Sequence, residues 1–336
     1  MTFYVPLLER SLSRLFEMVR PAAPLLTRAV AWGRGVVSTL RSSLNTSGPL
    51  TTRKADFSSL TSPTAPQEDR SSGTQPTPTQ DRWRQALTLI LSITQVAAPG
   101  LAIVGQVGAP VGEVSNKFFS AVTPANYAFI IWGLIYPACV AYGVFQALPA
   151  QRSNPLLRRI GWWAVTAFLA NSVWIPAFQL EQFWLSVLII GAMMASLVGV
   201  LREFIAYRRP LSRAETGLAL VPLSIFAGWI TAATILNITV ALKASGWGAD
   251  LLSPSSWGTL VALVVGVLGS FVSLKSRGNW GYGLTLVWAL VGIIVAQASS
   301  SVAVAVASGV SIVAIVISLW RACAHRAPLE WEGART

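Results

Sequence analysis

Apolar residues fill eight segments of the chain, and short polar stretches separate them. The segments cover residues 86–108, 126–148, 160–180, 183–206, 217–242, 257–274, 280–298 and 302–320. Each approaches the roughly 20 residues that an α-helix needs to cross the hydrocarbon core of a bilayer. The pattern therefore predicts an all-α integral membrane protein with eight transmembrane helices.

The last segment, SVAVAVASGVSIVAIVISLW at 301–320, alternates between larger and smaller residues as a β-strand does. A single strand in lipid would leave its backbone N–H and C=O groups unpaired, whereas a helix pairs them within the segment. We therefore predict a helix here as well.

Basic residues lie almost entirely on one side of the predicted membrane. If the N-terminus is cytoplasmic, 23 of the 25 Lys and Arg residues are cytoplasmic, and only Lys117 and Lys243 lie on the opposite side. Such enrichment is typical of the cytoplasmic loops of multi-pass proteins. It predicts that both termini are cytoplasmic, with residues 322–336 forming a cytoplasmic tail.

The first 85 residues differ from the apolar remainder. Residues 1–44 contain stretches such as YVPLLERSLSRLFEMVR, in which apolar and basic residues occupy opposite helical faces. Two interpretations are open for this segment: a basic amphipathic helix lying on the membrane surface, or a transit peptide. Residues 45–85 are rich in Ser, Thr, Pro and Gln and are predicted to form a disordered linker.

Composition supports the membrane assignment and argues against other functions. Only 11% of the residues are charged, against about 25% in soluble domains. The net charge is +12, but the basic residues flank the apolar segments and are not gathered on one domain. Nucleic acid is therefore not a predicted partner. Cys139 lies inside an apolar run and Cys323 just beyond another, while the single histidine, His325, lies in the polar tail. This pattern indicates no disulfide framework or thiolate metal site, and no set of catalytic side chains is visible.

Three predicted helices carry aromatic and amide residues on one face. In the third, NSVWIPAFQ at 171–179 places Asn171, Trp174 and Phe178 at i, i+3 and i+7, beside the helix-bending Pro176. The second and fifth spans have related faces, formed by Phe129, Trp132 and Tyr136 and by Trp229, Ala233 and Asn237. These faces could line one cavity for a flat apolar ligand, or they could simply pack helix against helix.

At these residues the sequence resembles the tryptophan-rich sensory protein (TspO/MBR) family, which includes the translocator protein. The family pattern N-x-x-W-x-P-x-F is matched by Asn171–Phe178, and W-x-x-x-A-T-x-x-N is matched by Trp229–Asn237. A third pattern, an aromatic residue before A-F and then W-x-x-x-Y, is matched by Tyr127–Tyr136. The resemblance covers residues 86–242 and leaves three further predicted helices, within 243–321, outside it.

The resemblance implies a five-helix TspO-like bundle followed by three additional transmembrane helices. It also implies a pocket for a tetrapyrrole (porphyrin or haem) or a sterol-like molecule, with residues 109–125 as a lid. The ligand-binding residues expected from the patterns and the shared faces are Tyr127, Phe129, Trp132, Tyr136, Asn171, Trp174, Phe178, Trp229, Ala233 and Asn237.

The function expected from these features is non-enzymatic binding, sensing or translocation of a hydrophobic planar ligand. The alternative is a multi-pass solute transporter, although no Asp, Glu, Lys or Arg lies near the centre of a predicted span, where ion-coupled carriers usually hold one. The expected location is a bacterial inner membrane, with a plastid or mitochondrial membrane as the alternative. The lipid bilayer and the ligand are the expected partners, and a second copy of the chain is a further candidate.

Overall fold

The computed structural model describes residues 78–104, 108–246, 253–276 and 278–324, and within these ranges the chain is helical and contains no β-strand. The predicted segment 1–44, most of the predicted linker and His325 lie outside the described residues. The helices are α1 Pro78–Val104, α2 Val111–Lys117, α3 Trp132–Ala147, α4 Pro155–Gln179, α5 Phe183–Ala206, α6 Arg213–Ala244, α7 Pro254–Lys275, α8 Trp280–Gln297 and α9 Val302–Ala324. Short 3-10 helices at Asn126–Ile131 and Pro149–Gln151 flank α3, and α6 contains a π-helical turn at Thr216–Leu220.

Each of the eight predicted spans coincides with one long helix. Six of these helices, counting the 3-10 turn with α3, are long and apolar enough to cross a membrane. The exceptions are α1 and α4, which carry the buried amides Gln95 and Asn171 within otherwise apolar sequence. The chain is therefore an all-α integral membrane protein, while the count of eight transmembrane helices stays a prediction.

The first helix begins earlier than the sequence predicted. Residues 78–85, which were predicted to belong to the disordered linker, form the first turns of α1. The prediction was wrong here because the polar residues of this stretch have partners far away in the sequence. Gln85, for example, donates from Nε2 to the carbonyl oxygen of Gln146 over 2.7 Å.

A buried ionic cluster holds this end of α1 against α3 and α4. Asp81 and Arg84 are only 2% and 1% exposed. Asp81 accepts from the guanidinium of Arg158, with a closest N–O distance of 2.5 Å, and lies 3.5 Å from Arg84. Arg84 also donates to the carbonyl oxygen of Leu157 and to Gln146 Oε1, at 3.1 and 3.3 Å. The cluster fixes three helices at the end of the bundle predicted to be cytoplasmic.

The rest of α1 also turns its polar residues inward. Thr88, Ser92 and Gln95 are fully buried, whereas Ile90 and Ile93 are at least half exposed on the outer surface. This arrangement suits a helix with lipid as its solvent, because each polar group must find a partner inside the protein. Thr88 and Ser92 donate to carbonyl oxygens within α1, and Gln95 accepts from Asn171 of α4.

The last three helices, α7 to α9, pack directly on the helices that precede them, chiefly through contacts between α6 and α8. Asn279 at the start of α8 donates to Ser224 of α6 over 2.7 Å, and the hydroxyls of Thr231 and Tyr282 lie 3.0 Å apart. A Cβ on Gly228 would lie 2.7 Å from the Tyr282 carbonyl oxygen, so the glycine permits this close approach of α6 and α8. The described helices belong to a single compact unit, and the predicted division at residue 242 stays a prediction.

Replacing Asp81 with Asn should destabilise the protein strongly, because it leaves the buried Arg84 without its counter-charge. Breaking a buried ion pair from one side costs about 3–5 kcal/mol. Thermal or denaturant unfolding of the purified protein in detergent measures this loss.

The matched control is Glu203→Gln, which breaks the more exposed Arg159–Glu203 pair, whose side chains are 45% and 29% exposed. An exposed pair contributes less than about 1 kcal/mol. Equal destabilisation by the two substitutions would show that the buried Asp81 cluster contributes no more to stability than the exposed pair.

Candidate functional site

A cavity lies where α2, α3, α4, α6, α7 and α8 meet. Its volume is about 40 Å³. The cavity is lined by Val111, Ser115, Val122, Pro124, Phe129, Trp132, Trp174, Phe178, Trp229, Ala232, Ala233, Ile235, Leu236, Asn237, Val261, Val265, Ala289, Leu290 and Ile293. None of these described lining residues is charged, so the interior of the cavity is almost wholly apolar.

Three indoles from three helices form one wall of the cavity. Trp132 of α3 stacks on Trp174 of α4, with centroids 6.2 Å apart and planes inclined by 28°. Trp229 of α6 meets Trp132 edge to face at 6.2 Å, and Phe178 stacks on Trp174 at 5.3 Å. Offset and edge-to-face pairs are the favourable arrangements of aromatic rings, so the wall is a packed unit.

A chain of hydrogen bonds fixes the central indole. Trp174 Nε1 donates to Asn237 Oδ1 over 2.7 Å, and Asn237 Nδ2 donates to Ser186 Oγ over 2.8 Å. All three side chains are almost completely buried. The chain joins α4, α6 and α5 and holds the indole plane of Trp174 against the cavity.

Seven of the ten predicted site residues line the cavity, and three do not. Tyr127 packs edge to face on Trp288 of α8, with centroids 5.4 Å apart. Tyr136 stacks on Trp132 at 5.0 Å but is not part of the lining. Asn171 points toward α1, where its Nδ2 donates to Gln95 Oε1 over 3.0 Å. Whether any of the ten binds a ligand stays a prediction.

The segment that precedes α3 closes one side of the cavity. Four lining residues, Val111, Ser115, Val122 and Pro124, fall in the range 109–125, which was expected to form a lid. The segment is attached to the bundle by the exposed Lys117–Glu181 ion pair and by a hydrogen bond from Lys243 Nζ to the Phe119 carbonyl oxygen.

Helices α7 and α8 also line the cavity, which the sequence motifs did not predict. Val261 and Val265 of α7 and Ala289, Leu290 and Ile293 of α8 contribute to the lining. In addition, Trp288 Nε1 donates to the Ala128 carbonyl oxygen over 2.9 Å, which ties α8 to the start of α3. Aliphatic residues in an apolar helix carry no signal that distinguishes a cavity wall from a lipid-facing surface. On α8, the indole of Trp288 is a feature that could have indicated a contact with the site.

The side chains that line the cavity offer mainly hydrophobic contacts to a guest. In the part of the chain that the structure describes, no three His, Cys, Asp or Glu side chains lie close enough together to hold a metal ion. About 10–15 Å³ is needed to hold one water molecule on the same scale, so the cavity accommodates only a few waters. A guest as large as a porphyrin therefore requires the helices or the segment 109–125 to move apart.

Replacing Asn237 with Ala should destabilise the protein by about 1–3 kcal/mol, because it leaves the buried Trp174 N–H without its acceptor. The near-ultraviolet circular dichroism of the indoles should also weaken as Trp174 gains freedom. Thermal unfolding and dichroism in detergent check both effects. The control Asn126→Ala removes the acceptor of the exposed Asn116–Asn126 hydrogen bond, and it should change neither signal; an equal response would contradict the role of Asn237.

Comparison with known proteins identifies a family. The family described as TSPO-like protein matches residues 85–320, which include α2 to α8 and most of α1 and α9. The match therefore extends through the three helices that the sequence motifs left outside the resemblance. No curated protein and no solved structure matches this chain. On the extent of the family match, the chain is a member of the TSPO-like protein family.

Proposed function

We propose that this membrane protein binds a hydrophobic, flat small molecule in the cavity and senses or translocates it without chemical change. The observation that carries the proposal is the convergence of Trp132, Trp174 and Trp229, from three helices, on one uncharged cavity. Largely apolar, aromatic-lined hollows with a few polar groups are typical of small-molecule sites. Tetrapyrroles and sterol-like molecules are the ligand classes that the family resemblance suggests.

Binding of such a guest requires the cavity to open, and the segment 109–125 is the element best suited to move. Lys117 and Glu181 are 60% and 40% exposed, and an exposed ion pair contributes less than about 1 kcal/mol. By contrast, α4 and α6 are held by the buried Trp174–Asn237 hydrogen bond. Displacement of the segment would break this exposed pair and uncover the buried Val114 and Val122, but it would leave the Trp174–Asn237 hydrogen bond intact.

The proposed orientation has both termini in the cytoplasm. The buried cluster of Asp81, Arg84 and Arg158 brings the start of α1 to the Arg-rich connection between α3 and α4. The two basic residues predicted for the other side lie near each other in the structure: Lys117 ends α2, and Lys243 donates to the carbonyl oxygen of Phe119, just after α2. A bacterial inner membrane is the proposed location, an organelle membrane is the alternative, and self-association is a further part of the proposal.

Nothing in the described helices favours an ion-coupled solute transporter. The strongly buried charges among the described residues, Asp81 and Arg84, lie near the start of α1 and neutralise each other. Carriers driven by protons or sodium usually hold ionisable residues near mid-bilayer. If proteoliposomes take up a solute only when a pH gradient is present, the protein is an ion-coupled transporter instead.

Protoporphyrin should bind the purified protein saturably, with a shift of its visible absorption band. Trp174→Ala combined with Trp229→Ala should weaken binding at least tenfold, because a well-packed aromatic side chain contributes more than about 1.4 kcal/mol to a buried contact. Titration in lipid nanodiscs, with empty nanodiscs as the partition blank, measures the affinity. A sterol titrated in competition tests the second ligand class.

The matched control replaces two outward-facing indoles, Trp162 and Trp320, which are 48% and 69% exposed. This double variant should bind as the unchanged protein does. If the two double variants weaken binding equally, the ligand does not bind in the cavity. Illumination of the loaded protein should return the pigment unaltered, and an altered pigment would instead indicate photochemical catalysis.

A further inference from the structure

Two polar groups on the cavity wall are unpaired within the part of the chain that the structure describes. The indole N–H of Trp229 and the hydroxyl of Ser115 have no hydrogen-bond partner among the described residues. Both side chains line the cavity, and they are only 3% and 1% exposed. Trp174 is different, because its indole N–H is already occupied by Asn237. Buried polar groups are almost always paired in folded proteins, so an unpaired donor on a cavity wall points to a group that the cavity receives.

The chemistry of these two groups specifies what they receive. An indole N–H can only donate a hydrogen bond, and a serine hydroxyl can donate one as well. The complementary group on a guest is therefore a hydrogen-bond acceptor. Trp229 belongs to α6 and Ser115 to α2, so the acceptor would lie between the bundle and the segment 109–125.

The absence of charge among the described lining residues restricts the acceptor further. A carboxylate in this cavity would be buried without a cation to compensate it, which is strongly unfavourable. A ketone, ester or amide oxygen accepts the same hydrogen bonds without that cost. An ionised carboxylate of a larger guest would have to remain outside the cavity.

We infer that the cavity selects an uncharged planar guest that presents a carbonyl-type oxygen to Trp229 and Ser115. The inference rests on the proposed function and adds the polarity of the ligand to it.

The test compares three rigid molecules that share one tricyclic ring system: fluorene, its ketone 9-fluorenone and the anion fluorene-9-carboxylate. Each is titrated into the full-length protein in nanodiscs, with empty nanodiscs correcting for partition into lipid. Fluorenone should bind roughly tenfold more tightly than fluorene, the gain expected from one to two neutral hydrogen bonds. The carboxylate should bind at least 100-fold more weakly than the ketone.

The ratio of the fluorenone affinity to the fluorene affinity shows whether Trp229 and Ser115 donate hydrogen bonds to the carbonyl oxygen. Trp229→Phe and Ser115→Ala should each reduce this ratio severalfold, and the carbonyl stretching band of bound fluorenone should move back toward its value in an apolar solvent. The matched control is Ser308→Ala, since Ser308 is also fully buried and unpartnered among the described residues but lies on α9, away from the cavity lining. This variant should leave the ratio unchanged.

Two failures are distinguishable. If fluorene and fluorenone bind saturably with equal affinity, or if the carboxylate binds as tightly as the ketone, the selection of an uncharged acceptor is wrong and the proposed cavity function survives. If none of the three binds saturably, and protoporphyrin and sterol do not bind either, the proposed function fails together with the inference.

Discussion

The hydrogen bond from Trp174 to Asn237 is the constraint on which the arrangement of the site depends. It joins α4 to α6 in the interior, and Ser186 extends it to α5. In hydrocarbon a polar side chain has few alternative partners, so such a bond fixes the relative rotation of two helices as well as their distance. The indole of Trp174 is thereby held at the cavity, where Trp132 and Phe178 both stack with it.

The same requirement, that polar groups be satisfied inside the protein, explains the parts of the fold that carry no aromatic residues. The helix α1 buries Thr88, Ser92 and Gln95 and exposes Ile90 and Ile93. At its start, Asp81 and Arg84 pair with each other and with groups on α3 and α4. One end of the bundle is therefore cross-linked by buried charges. The segment 109–125 is held by the exposed Lys117–Glu181 pair and also by buried contacts, since Val114, Val122 and Thr123 are at most 4% exposed and Ala125 N donates to the Gly292 carbonyl oxygen over 2.9 Å. Opening of the cavity through this segment stays part of the proposal.

The positions of the long helices could be predicted from the sequence, because the length of each hydrophobic run is a local property, while the orientation indicated by the basic residues stays a prediction. The helical spacing of Asn171, Trp174 and Phe178 correctly indicated a buried face. The spacing could not reveal that Asn171 turns to Gln95 while Trp174 turns to Asn237, since both partners lie more than sixty positions away. The start of α1 was missed for the same reason, and the wall formed by Leu290 and Ile293 was missed because aliphatic residues look alike in every membrane helix.

The central claim is that a hydrophobic guest lies among the indoles of α3, α4 and α6, enclosed by α8. Photolabelling tests it most directly: a sterol bearing a photoreactive diazirine is irradiated with the protein in nanodiscs, and the modified residues are located by mass spectrometry. The account predicts adducts on residues of separate helices that meet at the cavity, such as Phe178, Ala233 and Leu290, which excess unlabelled sterol suppresses. Adducts confined to outward-facing residues such as Leu188 and Val267, which are 73% and 68% exposed, would contradict it.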